Sequence, residues 1–446
     1  MRDGRPVTVE VTSDGAGLVS HAGSALLAQV ADRLGLTRAL SLRLAAIKQR
    51  RRGHDPGRVI RDLAVMLADG GECVSDLGAV RDQAVLFGPV ASDSTAFRVI
   101  ARVAADPGLL DVLRAAHARA RVRFWELHGA PERLTIDVDA TLITAHSEKE
   151  RAAGNYKGGY GFHPLQAYAD QTREALGGLL RPGNAGANTA ADHMAVLDRA
   201  LEQIPAEHVE QIEILVRADS AGATHGLIDY CRDADLRFSI GYELTEPVRA
   251  AILQIPADAW VSALDQDGSE RENGEVAEIT DSVELGSWPE GSRLIVRRER
   301  PHPGAQLSFT DHDGHRFQVI LTDQPDQNIA IIECRHRQRA RVEDRIRDDK
   351  DTGLAKFPFK AFALNEVWLE LVLLAHDLIV WAQALLLDGE LAKAEPKRLR
   401  YRLLHVAARL AFHGRRAKLR LQHDWPWAEQ LLTAFQKLKA LPAATG

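Results

Sequence analysis

The chain has 446 residues, 45% of them hydrophobic, 26% charged, and a formal net charge of −6. That length and apolar content suit two or three domains with real cores, and the slight acid excess leaves any affinity for nucleic acid to local basic surfaces. Cys73, Cys231 and Cys334 are odd in number and far apart, which argues against a disulfide framework or a zinc ribbon and for a reduced, cytoplasmic protein.

The opening stretch MRDGRPVTVEVTSDG has no apolar signal region. Residues 20–125 carry helical periodicity, as in SALLAQVADRLGL and GRVIRDLAVMLADGG, with the basic run KQRRRGHDPGR between. The pattern changes at residue 133. RLTIDVDATLI, GFHPLQAYAD and ALGGLLRPGN predict three strands, and NTAADHMAVLDRALEQI predicts a helix. IEILVRADS, GATHGLIDYCRDA and RFSIGYEL then predict strand, helix and strand. The order is β-β-β-α-β-α-β. Over 244–325, VSALDQDG, AEITDSVEL, SRLIVRRERP, QLSFTDHDG and HRFQVILTDQ predict a mostly β insertion. A helix over 335–350 follows, ended by Gly353 and Pro358, and 360–440 is expected to be helical. Its apolar run WLELVLLAHDLIVWAQALLL carries Glu370, His376 and Asp377, so it predicts a core helix and no membrane span. These shifts divide the chain into 1–130, a core of 131–243 with 326–358, the insertion 244–325, and 359–446.

RHRQRARVEDRIRDDK, residues 335–350, surrounds Glu343 with seven Lys or Arg. At about 100° per residue, His336, Arg339, Glu343 and Lys350 fall within one arc of about 60°. Such a stripe is either a solvated face of i,i+4 pairs or a metal-holding carboxylate flanked by phosphate-gripping cations. The second reading needs further acids. Asp139 ends the first strand of the α/β unit and Asp219 the fourth, at the carboxyl ends where ligands collect in open α/β sheets. Asp137 shares a strand face with Asp139, as an auxiliary acid or a satisfied buried one.

Other signals weigh less. DHDGH, residues 311–315, has a metal site's composition but predicts a hairpin turn through Gly314. KGGYG, 157–161, lacks the ending of a phosphate loop and predicts a flexible segment near DNA, with Lys157 and Tyr160 available. Trp260 and Trp288 are expected to pack in the insertion. Residues 393–420 hold ten Lys or Arg against one acid, Glu395, and with 48–58 form the candidate DNA-binding stretches, Arg398, Arg415 and Arg416 among them.

The acid order resembles the ribonuclease-H-like fold of DDE nucleases and transposases. His336, Arg339, Glu343 and Lys350 stand at the intervals of the Tyr-Arg-Glu-Lys helix of one branch of bacterial insertion-sequence transposases, departing only at the first. Asp139-Ala140-Thr141 looks like that branch's Asp-x-Thr, and VRADSAG like its second-acid motif around Asp219. DATLITAHSEKE and NYKGGYGFHPL are similar to the thirteen-eighty group in particular.

The resemblance implies that Asp139, Asp219 and Glu343 hold two Mg²⁺ ions, with Mn²⁺ as a substitute, for phosphodiester cleavage and joining. It implies that His336, Arg339 and Lys350 contact DNA. The expected partners are terminal inverted repeats, target DNA and a second copy of the chain, with no membrane, in bacterial cytoplasm at the nucleoid. The rival readings are a nuclease of the same fold without strand transfer, and a catalytically silent DNA-binding descendant.

Overall fold

The computed structural model describes residues 9–443 except Gln49, Ser147, Glu210, 302–310 and Arg415. A short strand β1 (Leu18–Val19) precedes helices α1 (Ser24–Arg33), α2 (Leu36–Arg43), α3 (Pro56–Ala68), α4 (Asp93–Ala104) and α5 (Pro107–His128). Asp55 caps α3 by accepting from Arg58 N at 3.0 Å, with Pro56 in the first turn. Every residue of α3 except Arg58 is buried, which marks it as an interior helix.

The α/β unit follows as β2 (Arg133–Ala140), β3 (Leu165–Ala169), β4 (Ala175–Leu179), α6 (Ala190–Leu201), β5 (Glu213–Ala218), α7 (His225–Asp233) and β6 (Arg237–Tyr242), in the predicted order. Strands β7 (Val261–Leu264), β8 (Glu270–Glu278), β9 (Arg293–Glu299) and β10 (Arg316–Thr322) come next. All belong to one nine-stranded sheet in the order β7-β8-β9-β10-β6-β5-β2-β3-β4. β2 with β5 and β5 with β6 pair in parallel, and the other neighbours antiparallel.

The β-rich stretch over 244–325 therefore lengthens the central sheet past β6 instead of standing apart from it. Within it, AEITDSVEL is not one strand. β8 ends at Glu278, and Thr280–Ser282 form a 3-10 turn in which the Thr280 hydroxyl is drawn to Glu278 at 2.7 Å. DHDGH makes the expected hairpin turn, with His312 paired to His315 and Gly314 at φ +73°. Most of QLSFTDHDG lies outside the described residues.

Helices α8 (Ile329–Arg337) and α9 (Arg341–Asp349) carry the basic stripe, separated by a 3-10 turn at Gln338–Ala340. The helical path ends at Gly353, whose φ of +107° only glycine adopts without strain. Helix α10 (Phe362–Leu386) is the apolar run; its most apolar window is 89% buried in the protein. Its polar groups are paired. Glu370 accepts from Arg114 Nε at 2.7 Å, and Asp377 accepts from Arg121 Nη2 at 2.5 Å and from the Ala175 amide at 2.8 Å.

The stretch 360–440, expected to be helical throughout, is not. It holds a hairpin of β11 (Ala408–His413) and β12 (Arg416–Leu421) before α11 (Ala428–Ala440). ARLAFH and RAKLRL alternate with period two around Gly414, which suits strands and no helix. β1 adds to this hairpin through Leu18 opposite Arg409 and Val19 opposite Ala408.

Candidate active site

Asp139 lies one residue before the end of β2, directly across from Gln166 of β3. Asp219 follows β5 and starts a 3-10 turn, accepting from the Ala221 amide at 3.0 Å. This turn folds over β6 closely: a Cβ on Gly241 would lie 2.9 Å from Ser220 N, so the position requires glycine. Glu343 sits exposed in the first turn of α9, where the helix dipole favours an anion.

Helix α9 is fixed from beneath. Val342 and Ile346 pack with Tyr168, Ala175 and Leu373. Buried Asp349 accepts from Gln166 Nε2 at 2.8 Å and Tyr168 Oη at 2.6 Å, and pairs with His376 Nδ1 at 2.6 Å. Gln166, the cross-strand neighbour of Asp139, is thus tied to the helix that carries Glu343. Burial works against a charge on His376, but Asp349 outweighs it and raises the imidazole to about 9. Both ring nitrogens then donate, one to Asp349 and one to the Arg173 carbonyl at 2.8 Å.

A cavity of about 530 Å³ opens beside these elements, lined by Asp219, His336, Arg339, Glu343, Tyr242 and residues of the added strands. Burial pushes Asp139 up to about 6; Arg339 opposes the shift, while Asp219 and Glu343 add to it. Asp219 and Glu343 line this space, and Asp139 lies near enough for both to act on its charge. Arg339 Nη1 stands 3.8 Å from Asp139 Oδ2 and, although buried, makes no hydrogen bond. Lys350 is half-buried, its pKa lowered by burial against the pull of Asp139. The ring of His336 meets Ser239 Oγ through Nδ1 at 3.0 Å, and burial beside Arg339 and Arg217 pushes it down to about 3, so it is neutral.

Asp137 is accounted for differently. It is buried and forms a two-pronged pair with Arg217, at 2.7 Å on each side, and Arg217 also meets Asp170 at 3.1 Å. It is a satisfied acid. Tyr160 belongs to a separate small sheet of Ile143–Thr144, Ala153–Gly154 and Tyr160–Phe162, Lys157 lies in the turn between its last two strands, and neither lines the cavity. Arg398 is exposed next to Lys397, which pairs with Asp351 at 2.7 Å just beyond the end of α9. Arg416 is exposed on the hairpin, and Arg415 lies outside the described residues. Trp260 packs under Arg298 at 4.1 Å, and Trp288 stacks on His225 at 4.0 Å, so both tryptophans serve packing.

The donor set fits a hard divalent cation: the three acids offer only carboxylate oxygens, and no thiolate lines the cavity. They stand in a more open arrangement than His21, Asp69 and His405, the group of metal-capable side chains among the described residues whose ligand atoms lie within 4.8 Å of one another.

A family model described as transposase DDE domain group 1 matches residues 2–443. The chain belongs to this family. It is a transposase, and DDE transposases generally use divalent metals. Among solved structures it is similar to piggyBac transposase in a synaptic complex with hairpin DNA, at 8% identity and a TM-score of 0.43 over 86% of this chain and 80% of that one. No curated protein matches it.

Sequence reasoning missed several residues of this transposase's cavity. Arg271, Arg297 and Arg337 line it, each held by acids: Arg271 by Glu299 at 2.6 Å, Arg297 by Glu333 at 3.1 Å, Arg337 by Glu333 at 3.2 Å. Arg337 stood in the quoted basic run, and RRER at 297–300 was visible as a charge cluster; their convergence was not.

Proposed function

We propose that this transposase is a cut-and-paste enzyme with a ribonuclease-H-like core, in which Asp139, Asp219 and Glu343 hold two divalent cations, Mg²⁺ or Mn²⁺. The strand order β4-β3-β2-β5-β6, with acids at the ends of β2 and β5 and on α9, supports that reading. So does the resemblance of the Asp139, Asp219 and Glu343 motifs to the thirteen-eighty group. The observation that carries it is that Asp219, Glu343 and Arg339 line one cavity, with Asp139 beside Arg339 at 3.8 Å.

Bound there, the cations would supply activation of the attacking oxygen and neutralisation of the leaving one. The protein's own groups have distinct tasks. Arg339 turns from Asp139 to a phosphate oxygen of the DNA. Lys350 offers a point charge on the same side. His336, with Nδ1 engaged by Ser239, presents a neutral ring to the cavity and donates at most one hydrogen bond, where related enzymes use a tyrosine hydroxyl. Terminal inverted repeats are the substrate, target DNA the acceptor, and two copies of the chain join the ends in synapsis.

The test is labelled end DNA with Mg²⁺ and a target plasmid. Joined product supports transposition. Cut product alone marks a nuclease, and a shifted band alone a silent DNA-binding protein. Glu343→Gln should abolish cleavage and keep end binding; a variant cutting at the wild-type rate would remove Glu343 from the site.

A further inference from the structure

The β11–β12 hairpin presents two opposite faces. Residues directly across an antiparallel pair share a face. One face therefore carries Ala408 with Leu421, Leu410 with Leu419, and Phe412 with Ala417. Ala408 and Leu410 are buried against the body, so the apolar face seats the ribbon at its base, while Phe412 stays 67% exposed further out. The other face carries Arg409 with Arg420, Ala411 with Lys418, and His413 with Arg416. Arg409, His413, Arg416, Lys418 and Arg420 are all exposed.

Like charges directly opposite on a ribbon repel and weaken the pairing. Proteins usually place carboxylates among such cations, as this one does on β8 and β9, where Arg298 meets Glu275 at 2.7 Å and Arg271 meets Glu299 at 2.6 Å. Among the described residues, no carboxylate pairs with Arg409, Arg416, Lys418 or Arg420. The face is left complementary to an external polyanion with charges repeated along its length. Duplex DNA has that chemistry, and a two-stranded β-ribbon fits along or within its major groove. Cations repeated in a row match the phosphates, which position a protein without reading sequence.

We infer that the basic face of the β11–β12 hairpin is a second DNA-binding surface, separate from the cavity at Asp219 and Glu343, which grips duplex DNA through its phosphates irrespective of sequence. This rests on the transposase reading only in requiring that the molecule handle duplex DNA. None of the hairpin's residues lines the cavity of Asp219 and Glu343, so it is a holding surface that does no chemistry.

The experiment measures full-length protein binding to a mixed-sequence DNA duplex by fluorescence anisotropy across a series of KCl concentrations. Wild type is compared with Lys418→Gln/Arg420→Gln and with Arg409→Gln/Arg416→Gln. Each double variant removes two phosphate contacts, so the slope of log K against log salt should become shallower by about 2, with affinity falling on the order of tenfold. Lys437→Gln is the control; Lys437 already pairs with Asp388 at 2.6 Å, and its loss should leave the slope unchanged. Circular dichroism confirms the fold of each variant, and the second pair stands in if the first misfolds.

Wild type that binds, with both double variants keeping its slope, overturns the hairpin proposal and leaves the active-site reading intact. Wild type that fails to bind duplex DNA at any salt overturns both. Tighter, equally hairpin-dependent binding to an RNA duplex would reassign the surface to RNA.

Discussion

Two aspartates on one strand face, Asp137 and Asp139, take opposite roles because of what lies opposite each. Asp137 has Arg217 at 2.7 Å on both oxygens; Asp139 has Arg339 at 3.8 Å and two further acids. Asp137→Asn would leave the buried Arg217 with Asp170 alone and should lower stability by about 1–3 kcal/mol, read as a drop in the urea midpoint. Asp139→Asn removes an ionisation that burial already disfavours, so it should fold at least as stably as wild type while cleavage is lost. A thermal-shift series separates them further. Mg²⁺ should raise the melting temperature of wild type by binding the folded state, and Asp139→Asn should lose that rise. A persistent Mg²⁺ shift in the Asp139 variant would move the cation elsewhere. His336→Tyr restores the hydroxyl found in related helices, and end cleavage should be kept or improved; a folded but inactive variant would show that this protein uses the imidazole differently.

At the scale of elements, α9 is the piece on which the site depends, and it is pinned at its C-terminal end. The His376 imidazole is raised from 6.5 to about 9 by Asp349. A group raised in the folded state contributes stability that is complete below its unfolded pKa and is lost as pH rises through the folded one. The melting temperature should therefore decline between about pH 6.5 and 9, and His376→Gln should start lower at neutral pH and lack that decline. Just beyond that end, Gly353→Ala combines φ +107° with a Cβ 2.6 Å from Leu67 Cδ2, and should cost on the order of 1–3 kcal/mol in denaturant unfolding. Much of this element was legible in the sequence. The spacing of His336, Arg339 and Glu343 placed them on one stripe, and they do line one cavity despite the 3-10 turn between α8 and α9. Asp349, His376 and Gln166 were not legible, because their partners lie on strands and helices far along the chain. The strands of 244–325 could be read from alternation, but alternation does not say which edge they join; their pairing to β6 through β10 is a tertiary fact. The hairpin at 408–421 was passed over because its positive charge drew more notice than its period.

For the whole molecule, the helical regions before and after the sheet share one core. Buried residues of α1, α3, α10 and α11 belong to one continuous core with those of the sheet. Removing Ala428–Ala440 should therefore loosen α1 as well as the C-terminal segment, visible as new proteolytic cuts near Ser24; protection there with α11 absent would show that the first helices hold by themselves. The pairing of Leu18–Val19 with Ala408–Arg409 carries this further, into the order of synthesis. A ribosome releases Leu18 long before Ala408, and His21, which stacks on His405 and bonds Asp69, waits equally long for its neighbour. Until the hairpin emerges, the earliest strand has no partner and the earliest helices keep an apolar side bare. The nascent chain can form its catalytic sheet while remaining unclosed, and the last segments made are those that shut the first ones in.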